Sequence, residues 1–126
     1  MSLPSDAAER KTFPVASGVI DYFPDALVAV AEVSRVGNEQ HNPGKPLFWD
    51  RSKSQDESDA LMRHFLERYD VDTDGMLHAA KVAWRALAFL QKLIESRRME
   101  NAVLNQADKM VFGPNAVIPW NGPQAK

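Results

Sequence analysis

Cysteine is absent from this chain, which excludes disulfides and thiolate metal sites and fits a reducing compartment. Any metal must therefore sit on Asp, Glu, His or backbone oxygens, a donor set that points toward hard ions such as Mg²⁺ or Mn²⁺. Long apolar runs are also missing: the longest clean one, residues 26–31, falls far short of the roughly 20 residues a membrane helix needs. The first residues show no basic segment followed by an apolar one, so no secretory signal is expected and the cytoplasm is the expected location. Positive charge is not in excess. Fifteen Lys and Arg face seventeen Asp and Glu, for a net charge of -2, so neither nucleic acid nor a membrane surface is an expected partner. Three catalytic schemes are missing as well: a Gly-rich phosphate loop, a His-Asp dipeptide and a convincing serine triad.

What remains is an ordinary globular composition. The 126 residues, 44% hydrophobic and 25% charged, suit one domain (1–126) with a real core. Residues 1–12 read as a polar arm, and 15–20 as a short extended piece. A first helix is expected from Pro24, which suits an opening helical turn, with Asp25 favouring the positive end of the dipole. Gly37 weakens its end and the Asn42-Pro43-Gly44-Lys45-Pro46 run stops it. Residues 42–52 form a loop carrying Phe48 and Trp49. A second helix spans about 54–69, with Ser54 as N-cap and Glu57 three residues later. An acidic turn at 70–75 leads into a long apolar helix over about 76–98. A weaker helix covers 100–110, and 113–126 is an irregular Pro/Gly/Asn-rich tail. The expected fold class is all-α, a helical bundle.

The candidate chemistry lies on these helices. Glu32 and Glu39 are two turns apart on one stripe of the first helix; Asp56 and Asp59 share a face of the second, beside Glu57. Antiparallel packing would bring Glu39 near Asp56 and Asp59, where like charges repel unless a cation neutralises them. Four solvated surface carboxylates are the competing reading. Asn38, His41, Asn42 and Trp49 offer amides and a flat ring suited to a nucleobase, although Trp49 and Phe48 could equally plug the end of the bundle. Arg63 pairs with Asp59 at i+4 or reaches a phosphate. His64, on a largely apolar helix, reads more simply as a core residue. His78, Lys81, Arg85 and Lys92 form a polar stripe on the long helix, where Lys81 and Arg85 are placed to cradle phosphates. Lys92 fits an ordinary solvent face.

The run Asp70-Val71-Asp72-Thr73-Asp74-Gly75 matches the first half of an EF-hand loop, but its twelfth position is Lys81 instead of a bidentate carboxylate. A cation there removes two ligands and repels calcium, so the aspartates are expected to cap the following helix.

As an ordered set, the segments 13–25, 32–44, Asp59-Ala-Leu-Met-Arg-His64, Asp74-Gly-Met-Leu-His78 and Ala83-Trp-Arg85 resemble the phage dATP/dGTP diphosphohydrolase family. That family is MazG-like and includes MazZ-type (d)GTP pyrophosphohydrolases of phages that replace adenine with diaminopurine. The resemblance implies an all-α MazG-like nucleoside triphosphate pyrophosphohydrolase, cytoplasmic in the host cell. It would cleave dGTP, GTP or dATP to the monophosphate and pyrophosphate, using Mg²⁺ or Mn²⁺. The family's Glu-x-x-Asp pair maps onto Asp56-Glu57-Ser58-Asp59. Its Glu-x-x-Glu pair does not map cleanly, because Arg35 stands three residues after Glu32 and Glu39 takes the missing role. Glu39, Asp59 and Asp56 are then the catalytic candidates, Glu32, Glu39, Asp56 and Asp59 the metal ligands. Asn38, His41, Trp49, Arg63, His78, Lys81 and Arg85 are the substrate-binding residues. The resemblance also implies a homodimer or homotetramer. A housekeeping pyrophosphohydrolase for other or damaged nucleotides, and a non-catalytic helical interaction module, are the alternatives.

Overall fold

The computed structural model describes residues 3–112, so the tail expected at 113–126 lies outside the described residues. The chain divides into two compact units, Met1–Leu87 and Ala88–Lys126. Four α-helices follow in order: α1 (Ala7–Arg10), α2 (Pro24–His41), α3 (Glu57–Leu66) and α4 (His78–Phe112), with a π-helical turn at Ala16–Ile20 between the first two. Among the described residues there is no strand, only an isolated bridge between Val71 and Leu77. The all-α class expected from the sequence is the one found among the described residues.

Several boundaries differ from expectation for identifiable reasons. The polar arm contains α1, because the Asp6 carboxylate accepts from the Glu9 amide at 2.9 Å and caps a single turn. Residues 15–20 coil instead of extending: the Asp21 amide donates to the Ala16 carbonyl at 2.8 Å, closing a five-residue loop. Gly37 does not end α2, since a glycine inside a helix costs only about 1 kcal/mol. The helix runs on to the Asn42-Pro43-Gly44 stop, where Gly44 takes a left-handed φ of 73°. The N-cap position of α3 is Asp56 and not Ser54, and no side-chain cap bond forms there. The long helix and the weaker one after it are a single element of 35 residues, because no Gly or Pro interrupts 76–112. Beyond Leu87 its surface carries a Gln91–Glu95 bond of 2.9 Å, a one-turn neighbour pair.

Within the first unit the core is small. Ala60, Met76 and Ala80 are buried, and alanines there let backbones approach closely. On α3, Glu57, Ala60, Leu61 and His64 fall at the i, i+3, i+4, i+7 spacing of one inward face and are buried or half-buried. Trp84 of α4 donates its indole N–H to Ser34 Oγ of α2 at 2.8 Å, fixing the two helices in register. The acidic turn is rigid: Asp72 N–H reaches Met76 O at 2.7 Å, His78 N–H reaches Asp70 O at 3.1 Å, and Gly75 supplies φ 82°. The aspartates shape this turn instead of capping α4. Asp72 accepts from Thr73 N–H and Asp74 from Met76 N–H, both before the helix begins.

Candidate active site

A cavity of about 630 Å³ opens in the first unit, with walls from α2, the loop after it, α3 and the first turns of α4. That volume lies in the range of small-molecule sites, roughly 300–1,000 Å³. Asn38, His41, Trp49, Lys81 and Arg85, five of the residues expected to bind substrate, line it together with His64. One wall is thus aromatic and amide-bearing, the other basic.

Local bonds set each wall. The Asn38 amide donates to Lys45 O at 3.0 Å and its Oδ1 accepts from Phe48 N–H at 3.2 Å, so this side chain shapes the loop that presents Trp49. Trp49 meets Trp84 edge-on with ring centres 5.6 Å apart, and the Arg51 guanidinium lies 4.1 Å from its ring centre. On the basic wall, Arg85 donates to Ser54 Oγ at 2.8 Å and stands 3.8 Å from Glu57, whose carboxylate is almost fully buried. Ser54 in turn donates to Asp56, which Arg63 holds at 2.9 Å. Arg63 therefore pairs with Asp56, two turns back, where the sequence suggested Asp59.

Lys81 bridges Asp72 and Asp74, the second at 2.7 Å. Its hydrogen bond to Asp72 holds that carboxyl at about 2, below the usual range, and the same ammonium lowers Asp74. Burial alone would lower the Lys81 pKa, but the two carboxylates outweigh it and the affinity for the proton rises. The position that rules out a calcium loop thus supplies the cation itself. Behind it lie His64 and His78, with Nδ1 atoms 2.9 Å apart. Burial, then the neighbouring ring of His78, lowers the His64 pKa and favours the neutral imidazole.

The acidic residues fall elsewhere. Glu32 and Glu39 are both exposed and both bonded to Arg35, at 3.3 and 3.0 Å. At 100° per residue this stripe lies on the face of α2 opposite the cavity-lining Val33, Gly37 and His41. Asp56, at the N-cap of α3, and Asp59 are exposed, and at 100° per residue Asp59 lies on the side of α3 opposite its inward face. Among the described residues, the group of three or more His, Asp or Glu that converge closely enough to hold an ion is His64, Asp72 and His78. Of the expected substrate residues, His78 is buried behind the wall. Asp72 and Glu57 are not among the site residues expected from the sequence. A usable signal exists for Glu57, which sits three residues before Ala60 and seven before His64 on one stripe.

Residues 5–102 match the family described as dATP/dGTP diphosphohydrolase, N-terminal, a stretch that includes every wall of the cavity. No curated protein and no solved structure matches the chain.

Proposed function

The chain belongs to the dATP/dGTP diphosphohydrolase family, and on that premise we propose that it hydrolyses purine deoxynucleoside triphosphates, chiefly dGTP, to the monophosphate and pyrophosphate. The observation that carries this reading is the two-sided cavity: Trp49 and the Asn38-pinned loop on one wall, Lys81 and Arg85 on the other. An aromatic face suits a purine, and two cations suit a triphosphate. Water would attack the α-phosphorus, the bond to the bridging oxygen would break, and pyrophosphate would leave with that oxygen.

In this reading Lys81 and Arg85 orient the phosphates. Both already have acidic partners, so their cationic heads are positioned before substrate arrives. A divalent metal would neutralise phosphate charge and lower the pKa of the attacking water. Magnesium is commonly held by one or two protein carboxylates plus the phosphates themselves. Asp56, one hydrogen bond from cavity-lining Ser54, fits that limited role in our proposal. Asp59 projects from the far side of α3, and no step is assigned to it within one chain. Glu32 and Glu39 face away from the cavity within one chain, and no step is assigned to them. Self-association is part of the proposal too, supported by large apolar side chains left in solvent, including Leu66 at 80% and Tyr69 at 86% exposure. In a diaminopurine phage the reaction would supply dGMP and deplete a competing triphosphate.

The test is a panel of purine, pyrimidine and oxidised triphosphates with Mg²⁺ or Mn²⁺, repeated with Asp56→Asn and, as a variant facing away from the cavity, Glu39→Gln. Turnover of dGTP and dATP above the others, reduced at least tenfold in Asp56→Asn, supports the reading. No purine turnover, or a preference for oxidised or pyrimidine nucleotides, rejects it.

A further inference from the structure

Behind the basic wall, three side chains from three different elements point at one another. His64 comes from the inward face of α3, Asp72 from the acidic turn and His78 from the first position of α4. One ligand atom from each lies within 4.8 Å of the others. The two Nδ1 atoms are 2.9 Å apart, and His78 Nε2 stands 4.0 Å from Asp72 Oδ1 and 3.6 Å from Glu67 Oε2. The His78 side chain is only 8% exposed.

Two facing imidazole nitrogens can be arranged in two ways. One ring donates a hydrogen to the other, or both present lone pairs to a shared cation. For metal–nitrogen bonds of about 2.0–2.1 Å, nitrogens on adjacent corners of an octahedral shell are about 2.9 Å apart, which is the spacing found. Carboxylates stand beside the pair. Glu67 and Asp72 bring two negative charges to within 4.0 Å of His78, and Lys81 and Arg85 are the cations that face the pair. The frame is rigid before any ion arrives, because backbone bonds from Asp72 to Met76 and from His78 to Asp70 lock the turn. Two imidazoles and one carboxylate suit a borderline transition metal better than magnesium.

We propose that His64, Asp72 and His78 bind one divalent transition-metal ion of the manganese, cobalt, nickel or zinc class. Glu67 is placed to orient His78 through its second nitrogen. Because His64 and Lys81 both line the cavity, the ion would sit at its wall beside the phosphate-binding cations; that placement rests on the hydrolase reading, whereas ion binding does not.

The experiment is a cobalt titration of the untagged, chelator-stripped full chain without nucleotide, followed by visible absorption and calorimetry. One equivalent of Co²⁺ should generate d–d bands that are lost in His64→Ala and kept in His41→Ala. His64 is only half-buried, so this variant should fold, and far-UV circular dichroism checks that it does. His78→Gln should weaken binding by at least about tenfold. No bands with the native chain, or bands of equal strength in folded His64→Ala, would overturn the site and leave the pair as a hydrogen-bonded couple. Purine triphosphate turnover is scored separately. Cobalt binding without turnover sinks the hydrolase reading alone, and turnover without cobalt binding sinks the metal site alone.

Discussion

Lys81 illustrates how one residue can close one function and open another. Read against a calcium loop, it stands where a carboxylate should; in the fold its ammonium joins Asp72 to Asp74 and faces the cavity. Lys81→Met would leave two partly buried carboxylates without their cation. Unfolding in urea should show a loss of about 1–3 kcal/mol, and an unchanged midpoint would contradict the pairing. The pH dependence follows from the direction of the shift. Asp72 titrates at about 2 when folded, against 3.8 when unfolded, so its stabilisation is complete above about pH 4 and is lost as pH falls toward 2. Asp74 shifts the same way. The groups facing this pair are Lys81, His78 and the Thr73 and Met76 amides. Urea midpoints at pH 5 and pH 2.5, measured in a metal chelator, should therefore diverge strongly in the native protein and less in Lys81→Met.

At the scale of elements, the turns carry the site. Gly75 has φ 82°, and a Cβ added there would meet nothing within 4 Å. Gly75→Ala therefore costs backbone strain alone, about 1 kcal/mol, and thermal melts should show that modest loss; a neutral result would mean the turn relaxes freely. Asn38→Ala removes the bonds that hold Lys45 and Phe48. On the hydrolase reading KM for dGTP should rise several-fold with kcat little changed, and the reverse pattern would assign Asn38 to the chemistry. These elements were partly legible. Pro24 and the Asn42-Pro43-Gly44 run mark α2 well, because each acts through local backbone geometry. The direction in which α2 faces was not legible. Val28 is 70% exposed while Val30, Val33 and Val36 are half-buried, so apolar residues ring the helix and do not choose a face. Hence Glu32 and Glu39 could be placed on one stripe but not on the side away from the cavity. Lys81 and Arg85 were legible, since cations within an apolar segment need a reason to be there. The His64–Asp72–His78 convergence depends on how the turn folds back, and no spacing in the sequence announces it.

For the whole molecule, a net charge of -2 and the exposed Tyr22, Val28, Leu66 and Tyr69 mean that the proposed self-association would be driven by apolar contact rather than by charge. Sedimentation equilibrium should find a dimer or tetramer that persists at high salt. A strict monomer at micromolar concentration would contradict that proposal. No helix among the described residues is long and apolar enough to cross a membrane. The family match over residues 5–102 and the two-walled cavity support the proposed reaction, whose products can be seen directly. Phosphorus NMR of dGTP incubated with the protein and a divalent metal should show dGMP and pyrophosphate rising together in equal amounts. Release of dGDP with orthophosphate, or unchanged dGTP, would contradict the account.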